Sequence, residues 1–171
     1  MDCFKGPDNP MSKEEKITGL IKTYQISLKR MCCVWLKDAA LAEDATQETF
    51  LKAYAALSDF RDECSEKTWL MRIAVNVCRN LRRGGWFHHV DRSVEIEHLP
   101  EAAIPFLEHD NSLMDAVSAL PRSLREIILL YYYQDMNMSE ISEALNISVS
   151  TVSRRLEKAR TQLRAQLEKE E

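Results

Sequence analysis

The chain has 171 residues, with 27 acids against 23 bases and a formal net charge of -4. Gly (4) and Pro (5) are too scarce for a turn-rich all-β fold, or for glycine loops that cradle nucleotide phosphates. Taken over the whole chain, the acid excess argues against a nucleic-acid binder, which needs clustered Lys and Arg, unless the charges are segregated.

Residues 1–11 are expected to be disordered. Ser12-Lys13-Glu14-Glu15 fits a capping box, so a helix should follow with Ile17, Leu20, Ile21, Tyr24 and Leu28 on one face. A second helix is predicted from about Leu41 to Leu57, with Leu41, Ala45, Phe50, Ala53, Tyr54 and Leu57 as its buried stripe. A third, from about Lys67 to Arg83, carries Trp69, Leu70, Ile73, Ala74, Val77 and Leu81 at helical spacing and stops at Gly84-Gly85. No Lys or Arg occurs between Ser93 and Pro121, and Pro100 and Pro105 break that acidic stretch. Beyond it the pattern predicts a short helix from Ser112 to Leu120 and a longer one from Arg122 to Gln134. Asn137-Met138-Ser139-Glu140 is a second capping box, opening a helix with Ile141, Ala144 and Leu145. After the turn Asn146-Ile147-Ser148 comes a last helix, Val149 to Leu167, with Val152, Leu156, Ala159, Leu163 and Leu167 inside. The expected fold is all-α: two small helical domains, 12–84 and 111–171, joined by a flexible acidic linker, 85–110. The C-terminal domain contains a helix–turn–helix.

The longest apolar run, Ile127 to Tyr133, is far short of the roughly 20 residues that span a bilayer. There is no basic-then-apolar leader, so a cytoplasmic protein without membrane insertion is expected. Cys3, Cys32, Cys33, Cys64 and Cys78 form no CxxC pair and read as reduced, mostly buried thiols; a redox role for loop-borne Cys64 is the lesser alternative. His88, His89, His98 and His109 share no i,i+4 spacing, so neither metal nor cofactor is expected.

The charges are in fact segregated. Near the start of the last helix stand Ser150, Thr151, Ser153, Arg154, Arg155 and Lys158, followed by Arg160. In a helix–turn–helix this part of the second helix enters the major groove, where hydroxyls permit close approach and Arg pairs with guanine. A charge run alone would read as a solvated face. The cap, the turn and the apolar spacing together favour DNA. On the third helix, Arg72, Asn76, Arg79, Asn80 and Arg83 share the face opposite the apolar stripe, and Phe60, Arg61, Lys67, Thr68 and Trp69 lie just upstream. Cations interleaved with aromatics suit single-stranded nucleic acid; Trp69 reads equally well as core.

These residues resemble a bacterial RNA polymerase sigma factor of the extracytoplasmic-function (ECF) group. AEDATQETFLKAY (Ala42–Tyr54) is similar to that family's polymerase-binding helix. FRDECSEKTWLMRIAVNVCRNLRR (Phe60–Arg83) is similar to the segment that melts and reads the −10 element. LPRSLREIILLYYYQDMNMSEISEALNISVSTVSRRLEKARTQLR (Leu120–Arg164) is similar to the −35-reading helix–turn–helix. The resemblance implies that Asp44, Gln47, Glu48 and Phe50 face core RNA polymerase. It implies that Phe60, Arg61, Trp69, Arg72 and Asn76 meet the melted −10 strand, and that Thr151, Arg155, Lys158 and Arg160 meet the double-stranded −35 element. It also implies an anti-sigma factor as a partner, and no enzymatic chemistry. Asn80 departs from the family's frequent Asp, Ser153 replaces its usual cation, and Arg154 stands where Ser is common. A DNA-binding regulator acting without polymerase would account for the C-terminal half and leave the N-terminal half unexplained.

Overall fold

A computed structural model of the protein describes residues 11–83 and 111–168. The linker, the Gly84-Gly85 stop, the four histidines, Cys3 and all of the expected N-terminal disorder except Met11 lie outside the described residues. Among those described, the chain forms α1 (Lys13–Leu36), α2 (Ala39–Ala56), α3 (Glu66–Arg83), α4 (Asn111–Ala119), α5 (Arg122–Ile128), α6 (Met138–Leu145) and α7 (Val149–Leu167), with no strand.

α1 starts where its capping box says. The Glu15 amide donates to Ser12 Oγ at 3.1 Å, and the Ser12 amide donates to Glu15 Oε2 at 2.8 Å. The sequence stripe stops at Leu28, yet α1 continues for two more turns in which Met31, Cys32, Val34, Trp35 and Leu36 are all buried. A helix that is apolar all round is covered all round. α2 packs on one side of α1, and the C-terminal half of the chain takes the other. There Ser118 Oγ donates to Val34 O at 3.4 Å, Arg125 Nη1 to Trp35 O at 3.4 Å, and Gln134 Nε2 to Ser27 O at 2.9 Å. The Val34 and Trp35 carbonyls lie in the last turn of α1, where intrahelical partners are lacking, so they are natural acceptors; Ser27 O lies mid-helix and takes Gln134 as an additional donor.

α1 ends on Lys37, whose φ of 54° is left-handed. A residue with a Cβ strains there, roughly 1 kcal/mol against glycine. The Lys37 ammonium gains little in return, since its 3.9 Å approach to Asp115 is exposed on both sides. Lys37→Gly is therefore expected to raise the unfolding free energy by about 0.5 kcal/mol, after the extra freedom of the unfolded chain is subtracted. A urea midpoint that moves down would overturn this reading of the turn.

Asp38 caps α2 by accepting from the Leu41 amide at 2.9 Å. Ala42, Ala45 and Ala53 are buried, and small side chains let the α1 and α2 backbones approach closely. Thr46 and Thr49 are buried too, their hydroxyls donating to the Ala42 and Ala45 carbonyls at 2.7 Å each. Tyr54 departs from the expected stripe: it is exposed, with its hydroxyl donating to Glu14 Oε1 at 2.8 Å and the Lys13 ammonium over its ring. Ser65 caps α3, accepting from the Thr68 amide at 3.1 Å. Leu70, Met71, Ala74, Val75, Val77 and Cys78 form the inward face of α3.

In the C-terminal half, the continuous helix expected over 122–134 is α-helical only to Ile128 and widens into a π-wound turn over Leu129–Tyr133. Leu129 and Leu130 stay buried while Tyr132 turns outward, 52% exposed. Over so short a stretch one extra residue per turn barely alters the apolar period, so the pattern does not reveal it. The second capping box is present: Asn137 accepts from the Ser139 and Glu140 amides, and Glu140 accepts from the Asn137 amide. Asn146 takes the left-handed position after α6, and Ser142 Oγ donates to Ile147 O at 2.6 Å, fixing the turn. Ile141, Leu145, Val152 and Leu156 are buried together between α6 and α7, as a helix–turn–helix requires.

Candidate nucleic-acid interface

α7 begins at Ser148, whose Oγ accepts from the Thr151 amide at 3.2 Å and lies 3.0 and 2.8 Å from the hydroxyls of Ser150 and Thr151. Serine and threonine thus do two things here: they cap the helix and keep its leading turn slim. Burying Val152, Leu156 and Ala159 fixes the roll of α7 and turns Ser150, Ser153, Arg154 and Lys158 into solvent, with Thr151 and Arg155 half-buried beside them. Lys158 lies only about 40° round the helix from Arg154. Among the described residues, Arg154, Arg155 and Lys158 have no carboxylate partner. Arg160 is different. It lies about 240° from Arg154, donates from Nε to Tyr132 Oη at 2.9 Å, and stacks over the Tyr131 and Tyr132 rings. Arg160 is thus exposed as well, but on a different side of α7 from Arg154 and Lys158, with its guanidinium engaged by Tyr132.

Ahead of α3, Phe60 and Trp69 pack with ring centroids 4.8 Å apart, and the Lys16 ammonium lies 5.3 Å from the Phe60 centroid. Both rings are half-buried, so Trp69 is partly core and partly open. Arg61 is exposed and Lys67 half-buried. Thr68 is fully buried, its hydroxyl 2.9 Å from Ser65 Oγ. Expected as a nucleic-acid contact, it instead secures the start of α3. Along α3, Arg72, Asn76 and Asn80 are exposed, while the side chain of Arg83 lies outside the described residues. Two cations of this face already have protein partners. Arg72 Nη2 donates to Glu143 O at 3.1 Å, and Arg79 donates from Nε and Nη2 to the two Glu126 oxygens at 3.0 and 2.6 Å. That hydrogen-bonded carboxylate raises Arg79 above its ordinary pKa, outweighing the effect of burial.

On α2, Asp44, Gln47 and Glu48 project into solvent. Phe50 does not: it lies about 240° round the helix from Asp44 and is buried, so its side chain serves the core. Leu51 was missed by the sequence reading. It is 66% exposed and completes a groove of about 430 Å³ with Asp44, Gln47, Glu48, Lys52, Val77, Asn80 and Leu81. The signal for it was available, because Leu51 sits four residues after Gln47 and three after Glu48 on the polar face. Asn80, grouped by sequence with the nucleic-acid face, lines this groove.

The four described cysteines are free thiols, two buried and two half-buried. Cys32 and Cys78 are buried with sulfurs 3.7 Å apart, and their mutual hydrogen bond, then burial, raises Cys32 well above its ordinary pKa. Burial pushes Cys33 up to about 11 and also raises Cys64. Neither shift favours the reactive thiolate. Among the described residues no helix is long and apolar enough to cross a membrane.

Comparison with known proteins matches both halves. The family model for Sigma-70 region 2 matches residues 20–87, and that for Sigma-70 region 4 matches residues 110–163. The chain is 30% identical over 168 residues to the ECF RNA polymerase sigma factor SigW of Bacillus subtilis, covering 90% of each protein. It is also 30% identical to SigM of the same organism, covering 87% of this chain and 93% of that one. The structure of CnrH in complex with the cytosolic domain of CnrY superposes with a TM-score of 0.72 at 25% identity, over 92% of this chain and 91% of CnrH. The sigma factor RpoE of Bartonella quintana, solved with the anti-sigma factor NepR, shares the fold, with a TM-score of 0.73 at 20% identity over 90% of this chain and 97% of that one. A region 2 helix bundle followed by a region 4 helix–turn–helix, at this level of identity and coverage, places the chain in the ECF group of the sigma-70 family.

Proposed function

We propose that this sigma factor uses its two halves as two separate readers of one promoter. It binds core RNA polymerase, directs it to promoters with −35 and −10 elements, and assists their melting. It is a specificity subunit without chemistry of its own, acts in the cytoplasm, and is held in check by an anti-sigma factor; in support, the related RpoE of Bartonella quintana is found in complex with the anti-sigma factor NepR. The units are assigned to residues 12–84 and 111–171.

The observation that carries this reading is the α7 face on which Arg154 and Lys158 are exposed and Arg155 half-buried, unopposed by any carboxylate among the described residues. It belongs to the same chain as the acidic, leucine-bearing groove on α2 and α3. Arg154, Arg155 and Lys158, with Ser150, Thr151 and Ser153, are assigned to the −35 duplex. Asp44, Gln47, Glu48 and Leu51 are assigned to polymerase, Leu51 supplying apolar area between charged neighbours. Phe60, Arg61, Trp69, Arg72 and Asn76 are assigned to the unstacked −10 strand, with ring faces available for bases.

Run-off transcription with reconstituted holoenzyme tests the assignment. Asn76→Ala is expected to lower open-complex formation about 10-fold, on the scale of a lost polar contact to an extruded base, while affinity for core polymerase holds. Equal loss of both would remove Asn76 from the reading face.

A further inference from the structure

The roll of α7 singles out one of its side chains. Arg154 lies about 160° round the helix from Val152 and from Leu156, and about 140° from Ala159. All three of those are buried, so Arg154 faces directly away from the core. It stands in the second turn, with Ser150 one turn ahead and Ser153 beside it, both exposed and both short. A major groove about 12 Å wide admits a helix of about 10–12 Å with little room to spare. The floor of the groove then meets the side chain opposite the core, and the walls, where the phosphates run, meet those on the flanks.

The other donors of this helix are committed or set aside from the floor. The Ser150 and Thr151 hydroxyls lie 3.0 and 2.8 Å from Ser148 Oγ and belong to the cap. Arg155 is half-buried on one flank, about 100° round the helix from Arg154. Lys158 is exposed but about 6 Å further along the axis, and its ammonium is a point charge that suits a phosphate. Arg160 Nε donates to Tyr132 Oη at 2.9 Å. Glu157, the one acid between Ser148 and Arg164, is exposed three residues after Arg154 and makes no ion pair with it. Arg154 therefore presents a planar guanidinium with no carboxylate partner among the described residues.

We propose that Arg154 specifies a guanine in the −35 element, its fork donating to O6 and N7 on the major-groove edge. This rests on reading α7 as the −35 helix. On that edge guanine alone sets two acceptors side by side; adenine pairs its N7 with a donor, cytosine offers a donor, and thymine offers one acceptor and a methyl group. A guanidinium only donates, so it matches guanine and meets a like donor on adenine or cytosine. A bidentate fork fixes angle as well as distance, so Arg154 sets register along the duplex together with base identity. Arg155 and Lys158, nearer the walls, add affinity that is indifferent to sequence. Sigma factors of this group commonly carry Ser at the position of Arg154, so the contact is a property of this chain.

The test uses holoenzyme reconstituted with the full chain and a pool of duplex promoters whose −35 region is randomised. The bound fraction is sequenced. Wild type is expected to enrich guanine at one position through Arg154, and Arg154→Ala to lose that preference about 10-fold while the other selected positions keep theirs. Replacing that guanine with a deazaguanine that lacks the N7 acceptor is expected to weaken wild-type binding about 5-fold and to leave Arg154→Ala indifferent. If Arg154→Ala selects the same sequence, guanine included, with only weaker binding overall, Arg154 touches phosphate and the proposal is overturned. A wild-type sequence without guanine overturns it as well. A wild type that selects nothing at −35 overturns more: α7 is then no reader, and the promoter assignment falls with it. Circular dichroism checks that Arg154→Ala keeps its helix content. Should it not, the deazaguanine series on wild type decides, and tolerance of the analogue at every selected guanine overturns the proposal.

Discussion

Trp35→Ala is expected to destabilise the protein by about 3–5 kcal/mol, the range for emptying a large aromatic from a closed core. Trp35 is 1% exposed and sits in the last turns of α1, where Met31, Val34 and Leu36 are also buried. This stretch of α1 touches both halves of the chain, so the void opens where neither half alone can collapse into it. For a chain of this size the loss corresponds to a drop in melting temperature on the order of 10 °C. Thermal unfolding followed by far-ultraviolet circular dichroism reads it. Trp35→Phe, which leaves a smaller void, is expected to fall by less than half as much. A midpoint for Trp35→Ala within about 2 °C of wild type would mean that this end of α1 is not enclosed in solution.

Reversing charge on α7 is expected to be the most damaging change to promoter recognition. Arg154→Glu combined with Lys158→Glu replaces two cations on one face with two acids. At about 1–3 kcal/mol per contact, holoenzyme should lose roughly 100-fold in affinity for a duplex −35 element near 0.1 M salt. The slope of affinity against salt should also flatten by about two units, since counterion release scales with the phosphates neutralised. Both side chains are exposed, so helix content should be unchanged. Arg160→Ala is the contrasting case. Its guanidinium is spent on Tyr132 and the neighbouring ring, so promoter affinity should fall far less. Equal loss in the two variants would put Arg160 back on the reading face.

Most of the fold is legible in the sequence because its signals are local. Ser12 with Glu15, and Asn137 with Glu140, announce two helix starts, and both boxes form. The apolar spacing of Ile141, Leu145, Val152 and Leu156 gives the helix–turn–helix. What is not legible depends on contact between distant segments. The last two turns of α1 look over-apolar until the C-terminal half covers them. Glu126 and Arg79 lie 47 residues apart, and neither carries a mark that it will meet the other. Site residues divide the same way. Asp44, Gln47 and Glu48 are exposed as their spacing implies, whereas Phe50, two residues on, belongs to the opposite face of the same helix. Thr68 is typical of a surface residue by composition, but the Ser65 cap draws it inward. The π-wound turn is invisible to a period count, and with it the outward swing of Tyr132.

That swing has a consequence for α7. Burial of Val152, Leu156 and Ala159 fixes which face of α7 turns inward, but hydrophobic contact is not itself directional. A hydrogen bond is directional. Tyr132 grips Arg160 at the far side of α7, so the last helix is indexed in angle as well as seated in depth. Each residue of slip would turn its leading face by about 100°. One wide turn in α5's continuation thereby adds a directional contact that helps set which way the first two turns of α7 face, at a distance and without touching them.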